Sequence, residues 1–169
     1  MTATRHEEVE RKYTVGPDAA LPVLTALDAV ADVRPAQEVE LVATYFDTDH
    51  LDLLRQGVTL RRRVGGADEG WHLKEPSGPD SRSETHLPLG RAVRTVPVRL
   101  RRAVEGLTDG RPLGPVARIA TRRVETVLVN DVGTQIAVVA DDDVRAERLL
   151  APALRQRSRE WEVDRKSVV

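Results

Sequence analysis

Carboxylates and cationic side chains recur at alternate positions along this sequence, which in an extended chain places them on one side. Glu8, Glu10 and Lys12 fall on one side of a segment from Glu8 to Val15, with Val9, Tyr13 and Val15 on the other. Arg61 and Arg63 align opposite Leu60 and Val64, and His72 and Lys74 alternate with Trp71 and Leu73. Arg82 and Glu84 share a side, as do Arg123 and Glu125. Asp141 continues the parity of Ala137 and Val139, while Glu160, Glu162 and Asp164 alternate with Trp161 and Val163. Guanidinium and ammonium groups grip phosphoryl oxygens. Carboxylates repel them, so acids among such cations call for an oxygen-liganded ion such as Mg²⁺ or Mn²⁺. If these ionic sides converge, they form a polyphosphate site with metal. Taken singly, each pair fits the wet side of a half-buried sheet equally well.

The whole composition constrains the chemistry further. The chain has 169 residues, suited to one domain. Charged residues make up 31% against roughly 25% in ordinary domains, yet the formal net charge is only -1. That balance argues against a nucleic-acid coat, and so do the few aromatic side chains. It leaves room for a local cationic site. Arginine outnumbers lysine 23 to 3, a bias that base composition also explains. Cysteine is absent, which excludes disulfides, thiol catalysis and cysteine zinc sites. No apolar leader or run of about 18 apolar residues occurs, so a soluble cytoplasmic protein with no membrane partner is expected.

The elements that must carry these residues read as mostly strands. After Glu8 to Val15, Gly16 and Pro17 break the chain, and Leu21, Leu24, Leu27 and Ala31 predict a helix over Ala19 to Val30. Strands follow over Glu38 to Thr48, Val58 to Val64, Trp71 to Glu75 and Arg82 to Leu87, with a short turn of helix or an irregular crossover at Leu51 to Leu54. The Gly65-Gly66 pair marks a hairpin. A helix is predicted over Arg94 to Val104, then strands over Val116 to Val129, Gln135 to Val139 and Arg159 to Arg165. Ala146 to Gln156 is ambiguous. The result is an α+β domain whose seven or eight strands form a mainly antiparallel sheet, able to close into a barrel.

Glu8-Val9-Glu10-Arg11-Lys12 resembles the N-terminal ExExK signature of the CYTH superfamily, the triphosphate tunnel metalloenzymes. The later segments follow in the family's order: Tyr45-Phe46-Asp47-Thr48, Leu60-Arg61-Arg62-Arg63, Trp71-His72-Leu73-Lys74, Arg82-Ser83-Glu84, Thr121-Arg122-Arg123, Asp141-Asp142-Asp143-Val144 and Glu160-Trp161-Glu162-Val163-Asp164. The resemblance spans nearly the whole of residues 1–169. It implies an eight-stranded antiparallel β-barrel forming a triphosphate tunnel, with flanking helices. It also implies substrate binding by Lys12, Arg61, Arg63, Lys74, Arg82 and Arg123, and metal binding by Glu8, Glu10, Asp141, Glu160 and Glu162. Lys12, Glu84 and Asp141 are the implied catalytic residues, the two acids through metal or water. The three consecutive aspartates permit a slip of one position at Asp141. Asp47 is read as structural, and none of the histidines forms a metal triad.

The activity implied is Mg²⁺- or Mn²⁺-dependent hydrolysis of a triphosphate, with inorganic triphosphate favoured. Thiamine triphosphate hydrolysis, ATP cyclisation and polyphosphate binding without turnover are the alternatives. The strands with Arg61 and Lys74 resemble bacterial CYTH domains that stand alone or are attached to a helical CHAD domain, which would be the partner in a longer protein. Many relatives continue into a C-terminal closing helix; the sequence ends at Val169 without one, which bears on turnover.

Overall fold

The computed structural model describes residues 9–78, 81–91 and 94–165, with the side chains of Val9, Glu10 and Arg165 set aside. Nine strands and two helices follow in order: β1 (Val9–Val15), β2 (Asp32–Val33), β3 (Gln37–Asp47), α1 (Asp52–Arg55), β4 (Thr59–Val64), β5 (Gly70–Pro76), β6 (Arg82–Leu87), α2 (Val98–Thr108), β7 (Gly114–Val129), β8 (Gln135–Arg148) and β9 (Leu154–Arg165). The strands join one sheet in the order β1-β9-β8-β7-β3-β4-β5-β6, with β2 paired to β7.

This sheet corrects the expected eight-stranded tunnel. The path ends at β1 on one side and β6 on the other, and the sheet is neither closed into a barrel nor strongly curled. Closure needs the terminal strands to pair and tilt together, whereas β1 has β9 as its neighbour in this path and β6 has β5. Side-chain alternation is the same in an open sheet and a barrel, so the ionic parity carried no information about closure.

The chain divides into two compact units. The first draws on Met1–Val39, Thr121–Val144 and Arg157–Val169; the second on Glu40–Ala120 and Arg145–Gln156. In the first, Val30, Leu128, Ala137 and Val139 form the core, with Leu21, Leu24 and Val163 packed on it. Leu21 and Leu24 thus do apolar work without the helix expected over 19–30, where a 3-10 turn forms at Leu24–Ala26. Pro22 lacks an amide hydrogen and its ring obstructs the preceding turn. Leu27, 54% exposed, contributes no buried stripe to offset that cost.

The second unit has the larger core: Phe46, Leu53, Leu60, Trp71, Leu73, Leu100 and Val104 among others. Burying each such leucine contributes about 1.5–3 kcal/mol, enough to hold β4 and β5 with Leu60, Trp71 and Leu73 inward and the intervening cations on the opposite side. Phe46 and Trp71 pack as tilted rings 5.0 Å apart. Helix α2 begins after Pro97, four residues later than the helix expected from Arg94, and buries Leu100, Val104 and Thr108 at helical spacing. The β4–β5 turn requires Gly65 at φ +88°, where a Cβ would run into the Glu40 carbonyl.

Candidate functional site

The predicted residues fall into two groups, one in each unit. In the first unit, β1 pairs antiparallel with β9 so that Lys12 lies opposite Glu162 and Thr14 opposite Glu160. Lys12 Nζ stands 3.3 Å from Glu160 and 3.7 Å from Glu162. From β7, Arg123 donates through Nε and Nη2 to the two oxygens of Asp142 at 2.9 and 2.7 Å. The same Nη2 donates to Glu162 at 2.8 Å. Glu125 lies 3.9 Å from the guanidinium. Burial pulls the Arg123 pKa down, but the bonds and charges of Asp142 and Glu162 outweigh it and hold the group firmly protonated. Two cations and four carboxylates therefore gather on one side of β1, β9, β8 and β7.

Asp142, 2% exposed, is the aspartate of the run that meets Arg123. Asp141 pairs with Arg159 at 2.9 and 2.6 Å, and Asp143 with Arg157 at 3.0 and 2.6 Å. Asp141 shares parity with Ala137 and Val139, which are the core side of β8. The parity of Lys12, Arg123 and Glu162, all bound into one network, belongs to Asp142. Glu8 lies outside the described residues. Glu10 is placed on β1 opposite Asp164 by its backbone.

In the second unit, Arg61 sits opposite Tyr45 on β3 and His72 on β5. Its Nε is buried without a hydrogen-bond partner among the described residues, an unspent donor next to the other cations. Arg63 donates to Asp68 at 2.9 Å. Lys74 lies 3.4 Å from Glu84, which also meets His72 Nδ1 at 2.7 Å. Burial raises the Glu84 pKa, but the His72 bond and the Lys74 charge prevail and leave it below the ordinary glutamate value. Arg82 is exposed on β6, opposite Pro76.

Asp47 proves a strut. Buried at the end of β3, it accepts from the backbone amides of Thr48 at 2.7 Å and of Leu53 and Leu54 at 3.0 Å each. Sequence parity singled out neither the Arg123–Asp142 pair nor the two contacts of His72. The parity of Arg123 and Glu162 could have found the first; the contacts of His72 lie across a turn and a neighbouring strand, where spacing says nothing.

The carboxylate oxygens of Glu160, Glu162 and Asp142 are donors of the kind hard cations take, so the chemistry of the set fits Mg²⁺ or Mn²⁺. Among the described residues, however, no group of three or more acidic or histidine side chains is disposed as a ready cage. The acids are held by Lys12 and Arg123 instead.

Residues 6–147 match the CYTH domain family. The chain belongs to the CYTH family. Two uncharacterized proteins from Mycobacterium tuberculosis, one from each of two strains, are 41% identical over 170 residues, covering 95% of this chain and 33% of theirs. This CYTH chain thus spans about a third of the length of the curated relatives it matches. A Bacillus halodurans protein assigned as a candidate adenylate cyclase has a crystal structure similar in fold, with a TM-score of 0.58 and 20% identity over 94% of this chain and 80% of that one. No helix among the described residues is long and apolar enough to cross a membrane.

Proposed function

We propose that this CYTH chain hydrolyses a triphosphate with a divalent metal ion, and that inorganic triphosphate is its substrate. The observation that carries the reading is the first unit's network, in which Lys12 and Arg123 stand among Asp142, Glu160 and Glu162. Family membership supports the coarse class, triphosphate-related hydrolase or cyclase chemistry. Lys12 and Arg123 would bind phosphoryl oxygens, with Asp142 fixing the Arg123 fork. Arg61, Arg63, Lys74 and Arg82 are the second unit's substrate-binding residues in this reading, and the unpartnered Nε of Arg61 supports it. Glu160 and Glu162 would hold Mg²⁺ or Mn²⁺, together with the Glu8 and Glu10 carboxylates of the N-terminal motif. Bound there, the ion would acidify the attacking water and offset phosphate charge.

Purified protein incubated with inorganic triphosphate and either metal should release phosphate. No turnover with either metal from neutral to alkaline pH would reject the enzyme reading. The engagement of Glu160 and Glu162 by Lys12 and Arg123 favours a second reading, a polyphosphate-binding module without turnover. Saturable binding of triphosphate with no phosphate released distinguishes it.

A further inference from the structure

Among the described histidines, His72 has both ring nitrogens engaged. Nδ1 lies 2.7 Å from Glu84 Oε1 and Nε2 lies 2.9 Å from the Asp68 carbonyl oxygen. The side chain is 5% exposed. A carbonyl oxygen and a carboxylate offer only lone pairs. Each ring nitrogen therefore faces an oxygen acceptor, and the ring bridges Glu84 on β6 to the turn that carries Asp68.

We propose that His72 is a positioning residue that holds Glu84 and the β4–β5 turn, and so sets where the Lys74 ammonium is presented to an anion. This rests on reading the second unit's cations as a phosphate-binding group. Glu84 is shared between Lys74 at 3.4 Å and His72 at 2.7 Å, so the imidazole fixes the carboxylate against which the ammonium sits. Asp68 carries the same logic into the turn, because its carbonyl accepts from His72 while its carboxylate accepts from Arg63 at 2.9 Å. One imidazole thus restrains the partners of both Lys74 and Arg63. The other charged or titratable groups facing it are Arg61, opposite on β4, and His86 on β6, whose ring lies 4.7 Å away.

Near-ultraviolet circular dichroism first establishes that each variant is folded, with His72→Asn standing in if His72→Gln is not. The positioning role is read by metal-free calorimetry with inorganic triphosphate. His72→Gln should weaken binding about tenfold, and the loss should shrink below about twofold in a Glu84→Gln background, since His72 acts through that carboxylate. An equal loss in both backgrounds, or none in the first, overturns the role. If the unaltered chain fails to bind triphosphate, the phosphate-binding reading falls and this inference falls with it. Binding by the unaltered chain with no coupling sinks this inference alone.

Discussion

Arg123 shows how much a single guanidinium can be asked to do. Its fork is committed to Asp142 and its remaining reach to Glu162, so removing it strands a carboxylate that is 2% exposed. Arg123→Gln should lower unfolding stability by about 3–5 kcal/mol, the usual cost of breaking one partner from a buried pair; urea denaturation measures it. Replacing both Arg123 and Asp142 by apolar residues should cost less, because the buried Asp142 charge leaves with its partner and Glu162 keeps Lys12 at 3.7 Å. Glu84 makes a prediction of the opposite kind, about pH. Its pKa in the folded chain lies below the ordinary 4.5. A depressed carboxylate stabilises the fold fully above that value, and the contribution disappears as pH falls through the folded pKa. The stability gap between the unaltered chain and Glu84→Gln should therefore close as pH drops from about 6 to about 3, as thermal unfolding would record.

At the scale of elements, Asp47 joins the end of β3 to α1. A helix of four residues cannot sustain itself, and it persists here because one buried carboxylate receives amides from Thr48, Leu53 and Leu54. Asp47→Ala should destabilise the chain by about 2 kcal/mol or more, visible in the denaturation midpoint. Gly65→Ala should also destabilise, through its positive φ and the Glu40 carbonyl. The sequence made some of these elements plain and hid others for physical reasons. Strands β4 and β5 were legible because Leu60, Trp71 and Leu73 alternate with charge and nothing competes with that period. The segment 19–30 was not, since Leu21 and Leu24 satisfy helical spacing but are partly buried by an irregular path around Pro22. Asp141 and Asp142 were indistinguishable by type. Only the network through Arg123 separates them.

For the molecule as a whole, the net charge of -1 means that long-range attraction for an anion is slight. Triphosphate binding should therefore depend on the local cations and weaken by roughly an order of magnitude between about 0.05 and about 0.5 M salt, where screening shortens to a few ångströms. Affinity insensitive to salt would count against Arg61, Arg63 and Lys74 as the binding groups. The open sheet also leaves β1 and β6 as margins, where Arg82 and Glu84 on β6 are charges of the kind that discourages unwanted strand pairing. Family order suggested a closed tunnel, but no pattern of side chains could decide whether the margins meet.

The aspartate run on β8 has a consequence for how this sequence can drift. The preceding turn is pinned by Asn130, whose backbone and side chain bond Gly133 and Thr134. Gain or loss of one residue there would slide β8 by one place. Arg123 would still meet an acid, so the change would pass any inspection of residue type. Yet two aspartates would now crowd its side, and Arg157 and Arg159 would be left to share one. What mutation must preserve at this segment is an odd-and-even count, and a turn of fixed length is its guardian.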